Sequence, residues 1–331
     1  MHDIICVGSA TEDVFVGSRD LKLISIEDLD QRRSYISFEY GAKIPVDTLF
    51  VSTGGGATNT AVSFSRLGMR AGIISKLGQD SAAEHILDEL HSEKVDISQV
   101  VRTNEHPTGY SVILTCFTGD RTVLVHRGAS TALREDEVNW DALANAEWIY
   151  LSSMAGPSAP LFEKVALHAR EHGVKLAVNP GGTQIRQGME ALQPVFEATH
   201  TLFVNKEEAY ELTGVEPRQG RADEMQVLSS LLSAGCQVVV MTDGPEGAEA
   251  HDGTAHYTIP AVPVKELSTL GAGDAFAAGY IAALFHGLEL RLALRAGSLN
   301  AAGVIQYLGA KVGLLTWEQM QKQLAYGMAA E

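Results

Sequence analysis

"KELSTLGAGDAFAAGYIAAL", Lys265–Leu284, is the stretch on which the fold of this 331-residue chain turns. Phe276, Tyr280 and Leu284 form an apolar stripe, while Ala278, Gly279 and Ala282 permit close packing, so a buried helix is expected over Ala275–Leu284. Ahead of it stand Gly271, Ala272 and Gly273, small enough for backbone N–H groups to approach a ligand, and then one carboxylate, Asp274. A helix N-terminus offers unpaired N–H donors and the positive end of the helix dipole, which suit a phosphate and the charge that develops on one during transfer. An acid in that place repels the anion unless it has chemistry to do, such as accepting the proton of an attacking hydroxyl. The competing explanation is an Asp that stabilises a helix terminus.

Working outward, short and nearly continuous apolar runs precede this helix: "DIICVG" from Asp3, "AGIISK" from Ala71, "EWIYLS" from Glu147, "VKLAVN" from Val174, "TLFVN" from Thr201 and "QVVVMTD" from Gln237. Such runs suit strands buried on both faces. Helical patterns at Ser81–Glu93, Ala159–His172 and Ala222–Ala234 lie between them, so a parallel sheet covered by helices is expected, with ligands beyond the carboxyl ends of its strands. Two regions break the alternation. Residues 11–50 and 107–126 read as inserted antiparallel strands, the second a hairpin turning at Gly119-Asp120. They would form a small sheet over the site, or else an ordinary edge extension.

A second glycine-rich stretch, "STGGGATNTAVSFSRLG", runs from Ser52 to Gly68. Ala57, Ala61, Phe64 and Leu67 recur at helical spacing and Gly68 is a good stop, so Gly54, Gly55 and Gly56 precede a helix with Asn59 in its first turn. A ligand loop and a plain strand-to-helix turn both fit. The third glycine of a dinucleotide fingerprint is missing, which leaves a nicotinamide-dependent dehydrogenase without support, and the chain contains no Gly-Lys pair, which excludes a Walker A loop.

Composition narrows the partners. Lys and Arg number 25 against 41 Asp and Glu, a net charge of -16, which argues against a nucleic-acid or anionic-membrane surface. "MHDIICVGSATED" lacks the basic start of a signal peptide, and the most apolar stretch, Ala275–Leu288, is too short to span a bilayer. Cys6, Cys116 and Cys236 are odd in number and lack metal-ligand spacing, so reduced thiols in a cytoplasmic protein are expected.

"STLGAGDAFAAGYI" and "GGGATNTAVSFSRLG", about 200 residues apart and in the family's order, resemble the two signatures of the PfkB (ribokinase-like) carbohydrate and nucleoside kinases. The resemblance implies one ribokinase-like α/β/α domain over residues 1–331, with a mainly parallel central sheet and a small β-sheet lid drawn from residues 11–50 and 107–126. It implies an ATP- and Mg²⁺-dependent phosphotransferase acting on a hydroxyl, with Asp274 as base and the N–H groups of Gly271, Ala272 and Gly273 as anion hole. Asn205 and Glu208 in "FVNKEEAYELTG" match the family's N-x-x-E motif, which organises Mg²⁺ and phosphates largely through water; without the family, Glu208 reads as an exposed helix acid. Thr242, Gly244 and Gly247 in "MTDGPEG" map along the nucleotide, and Asn300 maps to the adenine pocket, with a buried helix-capping amide as its rival.

On the acceptor side, Asp13 matches the acid that binds substrate hydroxyls, and Gly55, Gly56 and Asn59 extend that pocket. Arg127 and Asn179 are further substrate candidates, whereas Lys43 reads first as a surface charge. Ser268 replaces the usual Asp of the second signature, in the region that forms a monovalent-cation loop in relatives, so potassium activation stays open. A sugar or sugar derivative is the expected acceptor. A nucleoside is the alternative, to which "NPGGTQIRQG" lends slight support, and a non-catalytic sugar- or nucleoside-binding protein is the remote one. The long segment 11–50 makes a homodimer through the lid an expectation.

Overall fold

The computed structural model describes residues 1–27, 32–115, 121–216 and 221–328. Its eight-stranded central sheet runs, from one edge to the other, His256–Ile259, Ala248–His251, Val238–Thr242, Thr201–Asn205, Lys175–Asn179, Trp148–Ser152, Ile4–Val7 and Ala71–Ile74. The last six are mutually parallel, and they are the six runs expected as strands. The first two close the edge as an antiparallel hairpin that the sequence reading did not foresee.

Those runs are continuous because both faces are buried. Ile4 and Cys6 point into one core with Phe64, Tyr150, Phe203 and Tyr280, while Ile5 and Val7 point into the other with Ile149, Leu151, Phe162 and Leu202. Helices cover each face, giving three α/β/α layers. The run "AGIISK" ends early: Lys76 leaves the sheet to pair with Val101 in a short separate ladder, and its ammonium bonds both carboxylate oxygens of Glu137 and the carbonyl of Ala132.

The inserted strands form their own four-stranded sheet, ordered Arg121–His126, Gly109–Thr115, Thr11–Gly17 and Thr48–Gly54. It is a separate lid, not an edge extension. The expected hairpin pairs Val123 with Ile113, and its turn at residues 118–120 lies outside the described residues, as does Cys116. Lys22–Glu27 and Arg32–Ser37 pair separately.

The helix after the second glycine motif runs Ala272–Phe285, three residues longer at its start than expected. Gly271, at φ 78°, takes the N-cap position, and nothing bulky at Ala272 or Gly273 prevents the helix from starting at once. Asp274 therefore lies inside the first turn and is not the cap. The first glycine motif behaves similarly: Gly55 caps a helix over Gly56–Arg66, and Gly68 stops it in the left-handed region.

Candidate active site

Asp274 lines two cavities at once. One, of about 270 Å³, opens under the lid and is bounded by Asp13, Gly55, Gly56, Asn59, Arg127 and Gly271. The other, of about 190 Å³, is bounded by Asn179, Asn205, Glu208, Thr242, Gly271 and Gly273. A third, of about 350 Å³ and mostly apolar, continues beyond Thr242 and Gly273 past Gly244, Gly247, Val262, Phe276 and Ala301.

In the lid cavity the Asn59 amide nitrogen donates to Asp274 Oδ2 at 2.8 Å, while Asn59 Oδ1 is buried with no hydrogen-bond partner among the described residues. An orphan acceptor there suits a hydroxyl donor. Burial is the largest influence on Asp274 and pushes its carboxyl up to about 6, against the opposing pull of the Asn59 bond and of Lys311. Asp13 is 7% exposed; burial raises it, and the hydroxyls of Ser111 and Thr11 and the charge of Lys311 oppose the rise. Thr11 donates to Asp13 Oδ1 at 3.0 Å.

The glycines beside it have structural reasons of their own. A Cβ on Gly54 would lie 1.9 Å from Asp13 Oδ2, and one on Gly55, already at φ 98°, would lie 2.5 Å from the Ser9 carbonyl oxygen. The tight turn and the ligand loop are thus the same object: the chain passes close enough to Asp13 to hold it facing the cavity. Arg127, exposed at the end of the lid strand Arg121–His126, supplies the cation at the mouth.

In the 190 Å³ cavity, Asn205 and Glu208 form a reciprocal cap on the helix Lys206–Thr213. Asn205 Oδ1 accepts the Glu208 N–H at 2.8 Å, and Glu208 Oε2 accepts the Asn205 N–H at 2.9 Å. The cap leaves Asn205 Nδ2 and Glu208 Oε1 for the cavity. Burial raises the Glu208 carboxyl, with the Asn205 N–H opposing. An oxygen donor in a polar cavity fits a hard divalent cation that keeps part of its water shell. At the start of the Ala272–Phe285 helix, the Ala272 N–H donates to Thr269 O at 3.2 Å, whereas Gly273 and Asp274 have no such backbone partner among the described residues.

Three candidates sit otherwise in the structure than the resemblance implies. Asn300 does not line the apolar 350 Å³ cavity: it is fully buried, donating to Ser63 Oγ and Ala275 O and accepting from Leu315 N, while Ser298, Ala301 and Ala302 face that cavity from the same helix. Asn179 lies on the Glu208 side of Asp274 rather than under the lid, because its strand ends beside Phe203, whose carbonyl accepts from it at 3.0 Å. Ala272 is not a free donor, as its bond to Thr269 shows. Lys43 is exposed and lines none of these cavities. The sequence reading missed the hydroxyls of Ser9, Thr11, Ser111, Ser130, Thr131 and Ser153 around the lid cavity, and it missed Lys311.

Comparison with known proteins gives the family and the fold. The model of the pfkB family of carbohydrate kinases matches residues 21–317, and the chain belongs to that family, whose members transfer phosphoryl groups to hydroxyls. It is 28% identical over 323 residues to the 2-dehydro-3-deoxygluconokinase of Bacillus subtilis, covering 92% of this chain and 96% of that one. It is 30% identical over 254 residues to the ATP-dependent ribose-1-phosphate kinase of Halopiger xanaduensis, covering 77% and 80%. It spans 51% of a bifunctional ribokinase/ribose-5-phosphate isomerase A of Fructilactobacillus sanfranciscensis at 27% identity over 83% of this chain. The fold matches Arabidopsis thaliana ribokinase with a TM-score of 0.81 over 98% of both chains at 22% identity. Family members use ATP with a divalent metal. Among the described residues, no helix is long and apolar enough to cross a membrane.

Proposed function

We propose that the chain is an ATP- and Mg²⁺-dependent kinase that phosphorylates a hydroxymethyl-type hydroxyl of a small sugar or sugar derivative, working as one domain over residues 1–331. The observation that carries this is the placement of Asp274 where the lid cavity meets the cavity of Asn205 and Glu208. A hydroxyl held by Asp13 and Asn59 reaches Asp274, which takes its proton as the oxygen attacks the γ-phosphorus of ATP in line and ADP departs. The N–H groups of Gly271, Gly273 and Asp274 then face the charge on the transferring group. Asn205 and Glu208 would hold Mg²⁺ through water, and the ion would supply neutralisation of phosphate charge. Thr242, Gly244 and Gly247 flank the phosphates, and the apolar slot past Val262 takes the adenine.

The lid cavity itself supports a sugar over a nucleoside. Six hydroxyl side chains, Asp13, Asn59, Arg127 and Asp274 dominate its described lining, its apolar members are only Val125, Ala155 and Leu270, and no aromatic side chain among them offers a base a stacking face. The segment 179–188, which hinted at nucleoside kinases, contributes only Asn179 to these cavities; Gln184 is buried and bonds Met154 O.

The test is ADP release with ATP and Mg²⁺ against a panel of sugars, sugar acids, sugar phosphates and nucleosides, with and without potassium and with EDTA as control. Turnover on a sugar, abolished by EDTA, is expected. Silence on the whole panel, with ATP-protected thermal stability, would leave the binding-protein reading. The potassium arm reads what Ser268 does to cation dependence. With the best acceptor, kcat should fall as pH drops through about 6, because Asp274 must be ionised to act as base. A flat profile between pH 5 and 7 would remove that group from the rate.

The lid exposes Leu49, Leu124, Val125 and Ile26, each more than half open and all on the inserted strands. A lid-to-lid homodimer would cover them. Light scattering should give twice the 35.5 kDa chain mass; a monomer at micromolar concentration would overturn this.

A further inference from the structure

Lys311 belongs to neither signature, yet its side chain is 3% exposed. Its ammonium donates to Thr53 O at 2.8 Å and to Thr53 Oγ1, and it lies 3.0 Å from Glu89 Oε2 on the helix Ser81–Ser92. Its own carbonyl accepts from Arg66, which is paired with Glu93. The residues before it are wedged between two elements of the site. A Cβ on Gly271 would lie 2.4 Å from Ala310 Cβ, and one on Gly309 would lie 3.2 Å from Ser52 Oγ. Ser52 is in register with Asp13, and Gly54 abuts the Asp13 carboxylate. A single loop, 309–311, therefore touches both the strand that backs Asp13 and the start of the helix that carries Asp274.

An apolar side chain would fill such a wedge with less desolvation than an ammonium. We propose that Lys311 is a positioning residue: tied to Thr53 and Glu89, it fixes the 309–311 wedge and places an ammonium behind the strand that backs Asp13, where its charge acts on Asp13 and Asp274. Its catalytic consequence rests on the kinase reading; the charge effect itself does not.

The surrounding electrostatics agree. Burial raises both acids and Lys311 opposes the rise at each. Burial lowers Lys311, and Glu89, Asp13 and Asp274 oppose that. Of the other groups nearby, Glu12 raises Asp13, while Arg66 and Glu93 neutralise each other behind the loop. The Cys6 thiol, pushed up by burial to about 12, and the Tyr150 phenol, also raised by burial, stay neutral beside Asp274. Arg127 faces the lid cavity from above, and Glu208 faces Asp274 across the other cavity.

The experiment uses the full chain labelled with [γ-¹³C]aspartate, with the Asp13 and Asp274 resonances assigned from the Asp13→Asn and Asp274→Asn variants, and needs neither ATP nor acceptor. Lys311→Met should raise the titration midpoints of both acids by at least about half a pH unit, roughly threefold in proton affinity. Glu89→Gln alone should lower them or leave them in place. The double variant Lys311→Met/Glu89→Gln, which buries no unpaired charge, should keep the upward shift and is read if the single variant does not fold. Midpoints within about 0.2 unit of wild type in the double variant would overturn the proposal, since loss of packing alone does not mimic loss of charge. A silent kinase panel alongside shifted midpoints would overturn the kinase reading and leave this one standing.

Discussion

Asp274→Asn should lower turnover by about 10²–10⁴-fold, the usual contribution of a general base, with little change in ATP affinity. The substitution is nearly isosteric, and the Asn59 amide nitrogen, which donates to Asp274 Oδ2, still finds an amide oxygen to accept it. What disappears is the capacity to take a proton. Stability gives an independent check with a definite sign. The carboxyl is raised from 3.8 to about 6 in the folded chain, chiefly by burial. Between those values the folded chain binds more protons than the unfolded one, so stability falls as pH rises through this window and stays lower above it. Asp274→Asn removes that penalty. At pH 7.5 the variant should be at least as stable as wild type, and its advantage should vanish below about pH 4. Turnover within tenfold of wild type would take the base role from Asp274. A lower Tm at pH 7.5 would contradict the burial that raises it.

The sheet was legible because its physics is local. A parallel strand buried on both faces must be apolar throughout, and Ile4–Val7, Thr201–Asn205 and Val238–Thr242 announce themselves that way. The edge hairpin Ala248–His251 and His256–Ile259 was missed because its strands are half polar, short and partly exposed. Asp274 stood out as a candidate by its glycines, but its position within the helix depended on the left-handed conformation of Gly271, which a sequence permits without requiring. Asn300 misled because one helix presents Ser298 and Ala301 to the slot and turns Asn300, between them, into the core. The hydroxyls under the lid come from four separate segments and share no spacing. Lys311 left no signal at all: a lysine in a loop is ordinarily solvated, and only the tertiary wedge against Thr53 and Glu89 buries it.

Gly273→Ala should separate fold from function at the other half of the site. Gly273 has an ordinary helical φ, and a Cβ built there meets nothing within 4 Å. In a first helical turn that is a position where alanine is the better residue, by about 0.5–1 kcal/mol. The protein alone gives no reason for glycine, yet the position lines both the apolar 350 Å³ cavity and the Glu208 cavity. On the proposed kinase reading the reason lies with what binds: a methyl there would stand between the helix N-terminus and the phosphates and hold them off the N–H donors. A displacement of about 1 Å can lower a rate about 100-fold, so kcat/KM for ATP should fall by about 10–100-fold while Tm holds or rises. Gly271→Ala is the counterpart. At φ 78°, with its Cβ 2.4 Å from that of Ala310, it should lose stability as well as activity, because the strain belongs to the protein itself. If Gly273→Ala lowers Tm while Gly271→Ala does not, the two glycines have been assigned the wrong way round. Wild-type kinetics in Gly273→Ala would mean that the transferring phosphoryl group does not rest on this helix.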